Sequence, residues 1–403
     1  MALIPVEKAL AHVLADAGPL PTEYVEVGAA HGRVLTETLA ARRSQPPAPM
    51  SAMDGYAVRE ADLAALPARL RLAGEVPAGR TFAGRLGPGE AIRILTGGVL
   101  PDGADTIVIQ ENVRRDGDFI VVESAARAGR HIRPAGLDFK EGEARLRAGR
   151  RLTVRDLALA AAMNHAVVPV VRRPRVAVFS TGDELLPPGS TPAPGQIISS
   201  NGLALCAIAR AEGALAIDLG IVPDRLEDTI AAVRRAREWA ADILVTTGGA
   251  SVGDYDLVQP ALAAEGMQLD FWKVALRPGK PLMHGRLGAM WVLGLPGNPV
   301  SAYVCALLFL VPLIRKLAGR ADLAIIAEAA VLGCDLPAND ERQDYLRSGL
   351  AAGADGVRIA TPFSVQDSSM MSALDAADCL VVRPPHAPPA RAGEPCRIIP
   401  LPF

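Results

Sequence analysis

Apolar residues at Val6, Ala9, Leu10, Val13 and Leu14 recur at three- and four-residue spacing, so the chain is expected to open with an amphipathic helix. A Pro-rich joint follows at 45–49. Over 50–137 the period shortens to β-like runs, at 91–95, 106–110 and 119–123, separated by Gly, Pro and Asp turns. Residues 152–164 read as helix again. From 175 the rhythm alternates. Strands are expected at 175–179, 216–221, 242–246 and 290–293. Helices are expected at 202–212 (capped by Asn201), 228–240 (capped by Asp228), 257–265 and 301–314. Strand, polar or Gly-rich loop, helix, repeated, predicts a doubly wound parallel sheet. Beyond 320 short strands return at 327–332, 357–360, 379–383 and 397–400, with prolines crowding 384–389. The expected fold class is α/β multidomain: a doubly wound three-layer α/β domain, a small β-rich domain, a helical segment and a C-terminal β domain. The boundaries read as 1–45 with 139–174 (helical), 46–138 (β-rich insert), 175–320 (α/β) and 321–403 (C-terminal β).

Composition narrows the function classes. A chain of 403 residues exceeds one ordinary core, which agrees with several domains. With 50% hydrophobic but only 4% aromatic residues, Leu, Val, Ile and Ala must do most of the packing. A net charge of −2 argues against a general nucleic-acid or membrane-surface binder. Cys206, Cys305, Cys334, Cys379 and Cys396 form no CxxC pair, which points away from zinc or a disulfide framework and toward a reducing cytoplasm. The opening MALIPVEKAL is not a signal peptide. The apolar run 301–314 contains Pro312, is short for a bilayer, and reads as a buried helix.

The candidate chemistry lies at the carboxyl ends of the expected parallel strands, where such sheets bind ligands. In GGASVGDYD, Gly248, Gly249 and Gly253 allow tight turns with exposed amides, and Ser251 adds a hydroxyl, a pattern that suits an oxyanion. Asp254 and Asp256 would repel a bare phosphate, which suits a divalent cation between them and such a ligand; the plain alternative for the loop is a structural turn. The same loop matches G-x-S-x-G, and Ser251, Asp270 and His284 have the order of a hydrolase triad, but Asp254-Tyr255-Asp256 intervenes before the helix. In STGDE, Thr181, Gly182, Asp183 and Glu184 can hold Mg²⁺ or a nucleoside hydroxyl, or simply cap a turn. In GLPGNP, Pro296, Gly297, Asn298 and Pro299 lead into a helix whose N-terminus suits an anion, or form an ordinary helix entry. In ALRPGKP, Arg277 and Lys280 flank a turn and could grip a compact dianion or form a solvated pair. SAMDGYA carries Asp54 and RILTGG carries Thr96; each alone reads as a turn or hairpin. The six histidines show no metal-like spacing.

Taken together, SAMDGYA (51–57), RILTGGVLPDGADTIV (93–108), PRVAVFSTGDEL (174–185), TTGGASVGDYD (246–256), RPGKP (277–281) and GLPGNPVSA (294–302) resemble the molybdopterin molybdenumtransferase family, which includes the E domain of gephyrin. The motifs follow the family's order over nearly the whole length. The resemblance implies a transferase of molybdenum-cofactor biosynthesis. It takes adenylylated molybdopterin and molybdate, requires Mg²⁺, and releases AMP. It implies an elongated cytoplasmic homodimer with an active site shared between subunits. Under it, 1–45 with 139–174 serves dimerisation, 175–320 binds molybdopterin, and 321–403 is barrel-like. Glu184 and Asp256 would hold Mg²⁺. Thr181, Gly182, Asp183, Gly248, Gly249, Ser251, Pro296, Gly297, Asn298 and Pro299 would bind the adenylylated substrate. Asp54 and Thr96 would complete the catalytic set, from the other subunit. Arg277, Lys280, Pro281, Ser301, Arg342 and Ser369 would receive molybdate, with Arg347 as the alternative to Arg342. Asp138 is a weaker candidate. Arg277 stands where the family commonly has Lys, Ala48, Pro49 and Met50 replace an aromatic, an acidic and a polar residue, and Leu137 replaces an acidic or amide residue. The adenylyltransferase of the preceding step and downstream molybdoenzyme chaperones are implied as partners. The alternatives are that adenylyl transfer itself, with which the flanking domains disagree, and a non-catalytic dimeric scaffold.

Overall fold

The computed structural model describes residues 3–249, 257–353 and 356–402. The chain divides into two compact units: Met1–Glu23 with Gly32–Val34 and Val170–Phe403, and Tyr24–His31 with Leu35–Pro169.

The smaller unit is built on a six-stranded sheet, in the order Thr106–Ile109, Gly55–Val58, Glu90–Ile94, Ala68–Val76, Phe119–Val122, Val113–Asp116. Both faces are covered. Tyr56, Val58, Leu70, Ile120 and Val122 pack on one side, and Ala57, Val76, Ile92, Ile94 and Ile107 on the other. Two-sided burial explains why the sequence runs here are apolar without clean alternation. Gly55 sits where the neighbouring strand comes close, and a Cβ there would stand 2.1 Å from the Val108 carbonyl oxygen. Helix Val154–Ala162 is started by Thr153, whose side chain and the Asp156 carboxylate form a reciprocal capping box.

The larger unit contains a second six-stranded sheet, ordered Leu215–Val222, Arg175–Thr181, Ile243–Thr247, Met290–Leu295, Met283–Leu287, Gln268–Trp272. The first four strands are parallel, as expected; Met283–Leu287 runs antiparallel to both of its neighbours, so Gln268–Trp272 points the same way as the first four. Helices Val6–Ala15, Asn201–Ala211, Pro299–Cys305 and Val311–Leu317 cover one face; Leu226–Glu238 and Val258–Ala264 cover the other. Two expected caps are not caps. Asn201 is the first helical residue, and its side chain donates to the Gly297 carbonyl at 2.7 Å. Asp228 lies inside the first turn of a helix whose N-cap is Arg225, where its charge still complements the helix dipole. Pro299–Leu317 is one continuous helical run of 19 residues, long and apolar enough to cross a membrane, so its length does not decide the matter. Its burial does: 78% of the apolar window lies inside the protein, as in a core helix.

Past that helix the chain forms a closed sheet. Gln343–Ala352 pairs with both Arg358–Pro362 and Cys379–Arg383. The circuit closes through Glu328–Leu332 and Pro395–Pro400. The short strand Leu276–Arg277 adds to Gln343–Ala352 in parallel.

The Asp270 and His284 of the hydrolase alternative do meet, at 3.2 Å, but Asp270 also accepts His12 Nδ1 at 3.2 Å on the first helix. His284 is 4% exposed and its Nε2 is buried with no hydrogen-bond partner among the described residues, so it is not presented to a nucleophile. Ser251 lies outside the described residues. Burial, opposed by Asp270, holds the His284 imidazole below its ordinary value. The folded state therefore prefers neutral His284. Its contribution to stability is fully present above the unfolded histidine value of about 6.5 and is lost as pH falls below it. Urea midpoints are expected to drop more between pH 7.5 and 5.5 for the wild type than for His284→Gln; equal drops would contradict this.

Candidate functional site

Three strand ends bring the Gly-rich loops together. Ser180 and Thr247 are in register on adjacent strands, and the Thr247 hydroxyl donates to the Ser180 oxygen at 2.9 Å. Gly248 follows with a φ of 85°, and a Cβ there would stand 2.6 Å from the Thr181 carbonyl oxygen. Gly297 approaches from the next loop, its would-be Cβ 3.6 Å from the Gly248 Cα. Glycine at 248 is thus demanded both by conformation and by contact. A cavity of about 690 Å³ opens between these loops. It is lined by Thr181, Glu184, Gly248, Gly249, Pro281, Pro296, Gly297, Asn298, Pro299, Ser301 and Ser369 among the expected residues. Thr247, Ser199, Ser200 and Asn201 also line it, as do the apolar Leu185, Ile197, Ile198 and Met371. The sequence reading missed these. The pairing of Leu185–Leu186 with Ile197–Ile198 across a Pro/Gly excursion brings them there, and no local motif marks it. Ser251 and Asp256 lie outside the described residues.

One edge of the cavity is acidic. The Glu184 carboxylate folds over Gly182, whose Cβ would stand 2.5 Å from it. Gly182 and Asp183 do not line the cavity themselves. Asp183 accepts the Asp224 amide at 3.1 Å. Burial, with the Asp183 and Glu184 charges, pushes the Asp224 carboxyl above its ordinary value. Among the described residues no three His, Cys, Asp or Glu side chains converge as a metal site.

Another part of the lining joins the helix at Pro299 to the C-terminal barrel. Asn298 donates to the Ser368 hydroxyl at 2.8 Å, and the Val300 amide is taken by the Ser368 carbonyl at 3.1 Å. The helix entry expected to bind an anion thus has one of its donors engaged within the protein. Ser369 donates through its amide (2.8 Å) and hydroxyl (2.6 Å) to Asp367, which holds that carboxyl below its ordinary value. Beneath this loop lies Arg347, 1% exposed, donating to the Asp367 carbonyl at 2.7 Å and to Gln366. Arg342 is elsewhere, paired with Asp340 at 2.9 Å. Arg277 also stands apart from the cavity lining, forked onto Asp344, and Lys280 is exposed beside Pro281.

In the smaller unit, Asp54 and Thr96 meet. Both the Thr96 amide and hydroxyl donate to Asp54 Oδ1 at 2.7 Å, and these bonds hold the carboxyl below its ordinary value. The Ser51 amide to the Gly98 carbonyl (2.9 Å) and the Gly97 amide to the Ser51 carbonyl (3.0 Å) lace the two motifs together. Asp138 is exposed, and its carbonyl accepts from Arg145.

Comparison with known proteins places the chain in a family. Family models match in succession: the MoeA N-terminal region (domain I and II) over residues 4–164, the probable molybdopterin binding domain over 177–316, and the MoeA C-terminal region (domain IV) over 329–401. A molybdopterin molybdenumtransferase of Haemophilus influenzae is 34% identical over 385 residues, covering 95% of this chain and 95% of the relative. Another, of Nostoc sp., is 40% identical over 311 residues, covering 74% of this chain and 70% of the relative. The solved molybdopterin biosynthesis protein of Pyrococcus horikosii superposes with a TM-score of 0.85 at 31% identity, covering 99% of each chain. The chain therefore belongs to the molybdopterin molybdenumtransferase family, enzymes of molybdenum-cofactor biosynthesis.

Proposed function

We propose that this chain inserts molybdate into adenylylated molybdopterin with release of AMP. The observation that carries the reading is the single cavity in which glycine amides, threonine hydroxyls and Glu184 face Pro281, Ser301 and Ser369. One wall suits a phosphoanhydride, the other a small oxyanion. Thr181, Gly248, Gly249 and Ser251 would cradle the adenylate phosphates, with Gly182, Asp183, Pro296, Gly297, Asn298 and Pro299 shaping that wall. Lys280, Pro281, Ser301 and Ser369 would receive molybdate, with Arg347, under the Ser369 loop, supplying positive charge in place of Arg342.

Mg²⁺ fits the acidic edge by donor chemistry. The groups there are hard carboxylate oxygens: Glu184 lines the cavity, and Asp183 and Asp224 lie behind it, close enough for their charges to add to burial in raising the Asp224 carboxyl. Glu184 and Asp256 would hold it, two protein carboxylates being typical of an ion that keeps waters and phosphate oxygens. When bound, it supplies charge stabilisation to the departing phosphate. No covalent nucleophile is required, because positioning and electrostatics suffice for such a step. Asp54, held ionised by Thr96, suits contact with a cation or an ordered water rather than proton donation.

The reading includes a cytoplasmic homodimer in which Asp54 and Thr96 serve the partner's cavity, and division into the four segments 1–45 with 139–174, 46–138, 175–320 and 321–403. Adenylyltransferase and downstream chaperones are the partners it implies. The test supplies adenylylated molybdopterin, molybdate and Mg²⁺ and follows AMP. Release that requires molybdate supports the reading, and no release sinks it. Gly248→Ala is expected to lower that rate at least about tenfold, since an L-residue at this φ costs roughly 1–2 kcal/mol before the clash with Thr181. An unchanged rate would show that the turn adapts.

A further inference from the structure

We propose that Arg277 is a positioning residue: its guanidinium fastens the 277–281 segment to the C-terminal barrel and does not itself receive the oxyanion. The inference rests on the reaction proposed above for its kinetic arm only.

The guanidinium is already committed. Nε and Nη2 donate to the two oxygens of Asp344 at 2.8 and 2.7 Å, Nη2 also reaches Asn339 at 3.1 Å, and Nη1 lies 3.2 Å from Asp340. Asp344 is only 7% exposed, so pulling Arg277 away would leave a buried carboxylate without its partner. Charge does not favour a dianion here either. Asp340 pairs with Arg342 as well, so two guanidinium groups face two carboxylates and no positive surplus remains.

What the clamp holds is equally specific. Leu276 and Arg277 run alongside Gln343 and Asp344, and the Gln343 amide donates to the Ala275 carbonyl at 2.9 Å. The loop base is closed by the Val274 amide on the Lys280 carbonyl at 3.0 Å. On its other side Gly279 presses on Cys305, whose Sγ would be 2.5 Å from a Cβ at 279. Pro281, at the end of this loop, lines the cavity, and so does Ser369. The Gln343–Ala352 strand supports both: Asp344 grips Arg277, and Arg347 carries the 366–370 loop. One strand thus sets the spacing of two cavity walls. A forked carboxylate contact needs the planar guanidinium, and a lysine ammonium does not reproduce it.

The test compares Arg277→Gln, Arg277→Lys and Asp344→Asn by molybdate-dependent AMP release and by amide hydrogen exchange at Val274 and Gln343. The clamp predicts that Arg277→Gln and Asp344→Asn lose kcat together, by roughly 10- to 100-fold as expected of a misplaced wall, with faster exchange at both amides. Arg277→Lys falls between them and the wild type. An oxyanion-ligand role predicts the opposite split: Asp344→Asn frees the cation and keeps or lowers the molybdate KM, Arg277→Gln alone raises it, and Arg277→Lys retains activity. That split, or unchanged exchange in Arg277→Gln, overturns the proposal. If Asp344→Asn does not fold, the Lys-against-Gln comparison decides alone. Exchange requires no turnover, so a wild type that releases no AMP counts against the reaction and not against the clamp.

Discussion

Glu184→Gln is expected to lower the rate of molybdate-dependent AMP release by roughly 100- to 1,000-fold, the scale seen when one preorganised electrostatic contact to a developing charge is removed. The substitution keeps size and removes only the charge. Glu184 is exposed at the cavity edge and folded over Gly182, so no buried network depends on it. The loss should therefore appear in turnover, with the circular dichroism spectrum and urea midpoint unchanged. The Mg²⁺ dependence should weaken as well, because one of two proposed carboxylate contacts is gone. Asp256→Asn is expected to behave alike. Full activity in both variants would remove the acidic edge from the account.

The second large effect concerns stability. Glu212 closes the Asn201–Ala211 helix and is 6% exposed. It accepts Nε and Nη2 of Arg315 at 2.8 and 2.7 Å, and Nη1 of Arg320 at 2.6 Å. Both arginines are well buried, and Arg320 reaches on to Asp322. Glu212→Ala leaves two guanidinium groups facing one another without their shared carboxylate, and removing one partner of a buried ion pair costs about 3–5 kcal/mol. Urea unfolding should show a loss of unfolding free energy of that size. A change under about 1 kcal/mol would mean that Asp322 and solvent take over both charges. The consequence reaches the site. The two helices joined here carry Asn201 on one side and Pro299 and Ser301 on the other, all lining the cavity.

Much of this was legible in the sequence, and the parts that were not share a cause. Three of the four parallel strands stand out because burial on both faces makes them continuous apolar runs, as in RVAVF and DILVT, while Leu215–Val222 lies at the sheet edge and is more exposed. Their loops stand out because glycines and acids follow at once. The Gln343–Ala352 strand stayed hidden because Asp344, Arg347 and Ser348 are buried within it, which breaks the apolar pattern that marks a strand. The last two strands of that sheet were missed because MHGRL and QLDFW are short and mixed. Spacing could not tell which of Arg342 and Arg347 stands beneath the Ser369 loop; the fold of 366–370 puts Arg347 there. Arg277 is the sharpest case. Read locally it is a free cation beside Lys280, but its carboxylate partner lies 67 residues away in the chain.

Function was legible for a different reason. Each motif alone permits a plain turn, and only their joint order over the chain narrows the chemistry. The structure adds what order cannot: Thr96 and Asp54 bonded directly, and Thr181, Gly248, Gly297 and Ser369 around one cavity.

In the proposed reaction, anhydride cleavage and metal insertion are one coupled event. A single-turnover reaction with wild-type protein, adenylylated molybdopterin, molybdate and Mg²⁺, scored for both AMP and pterin-bound molybdenum, tests it most directly. Coupling predicts equal yields of the two, with neither formed when molybdate is withheld. AMP released at the same rate without molybdate, or with no molybdenum bound, would contradict it.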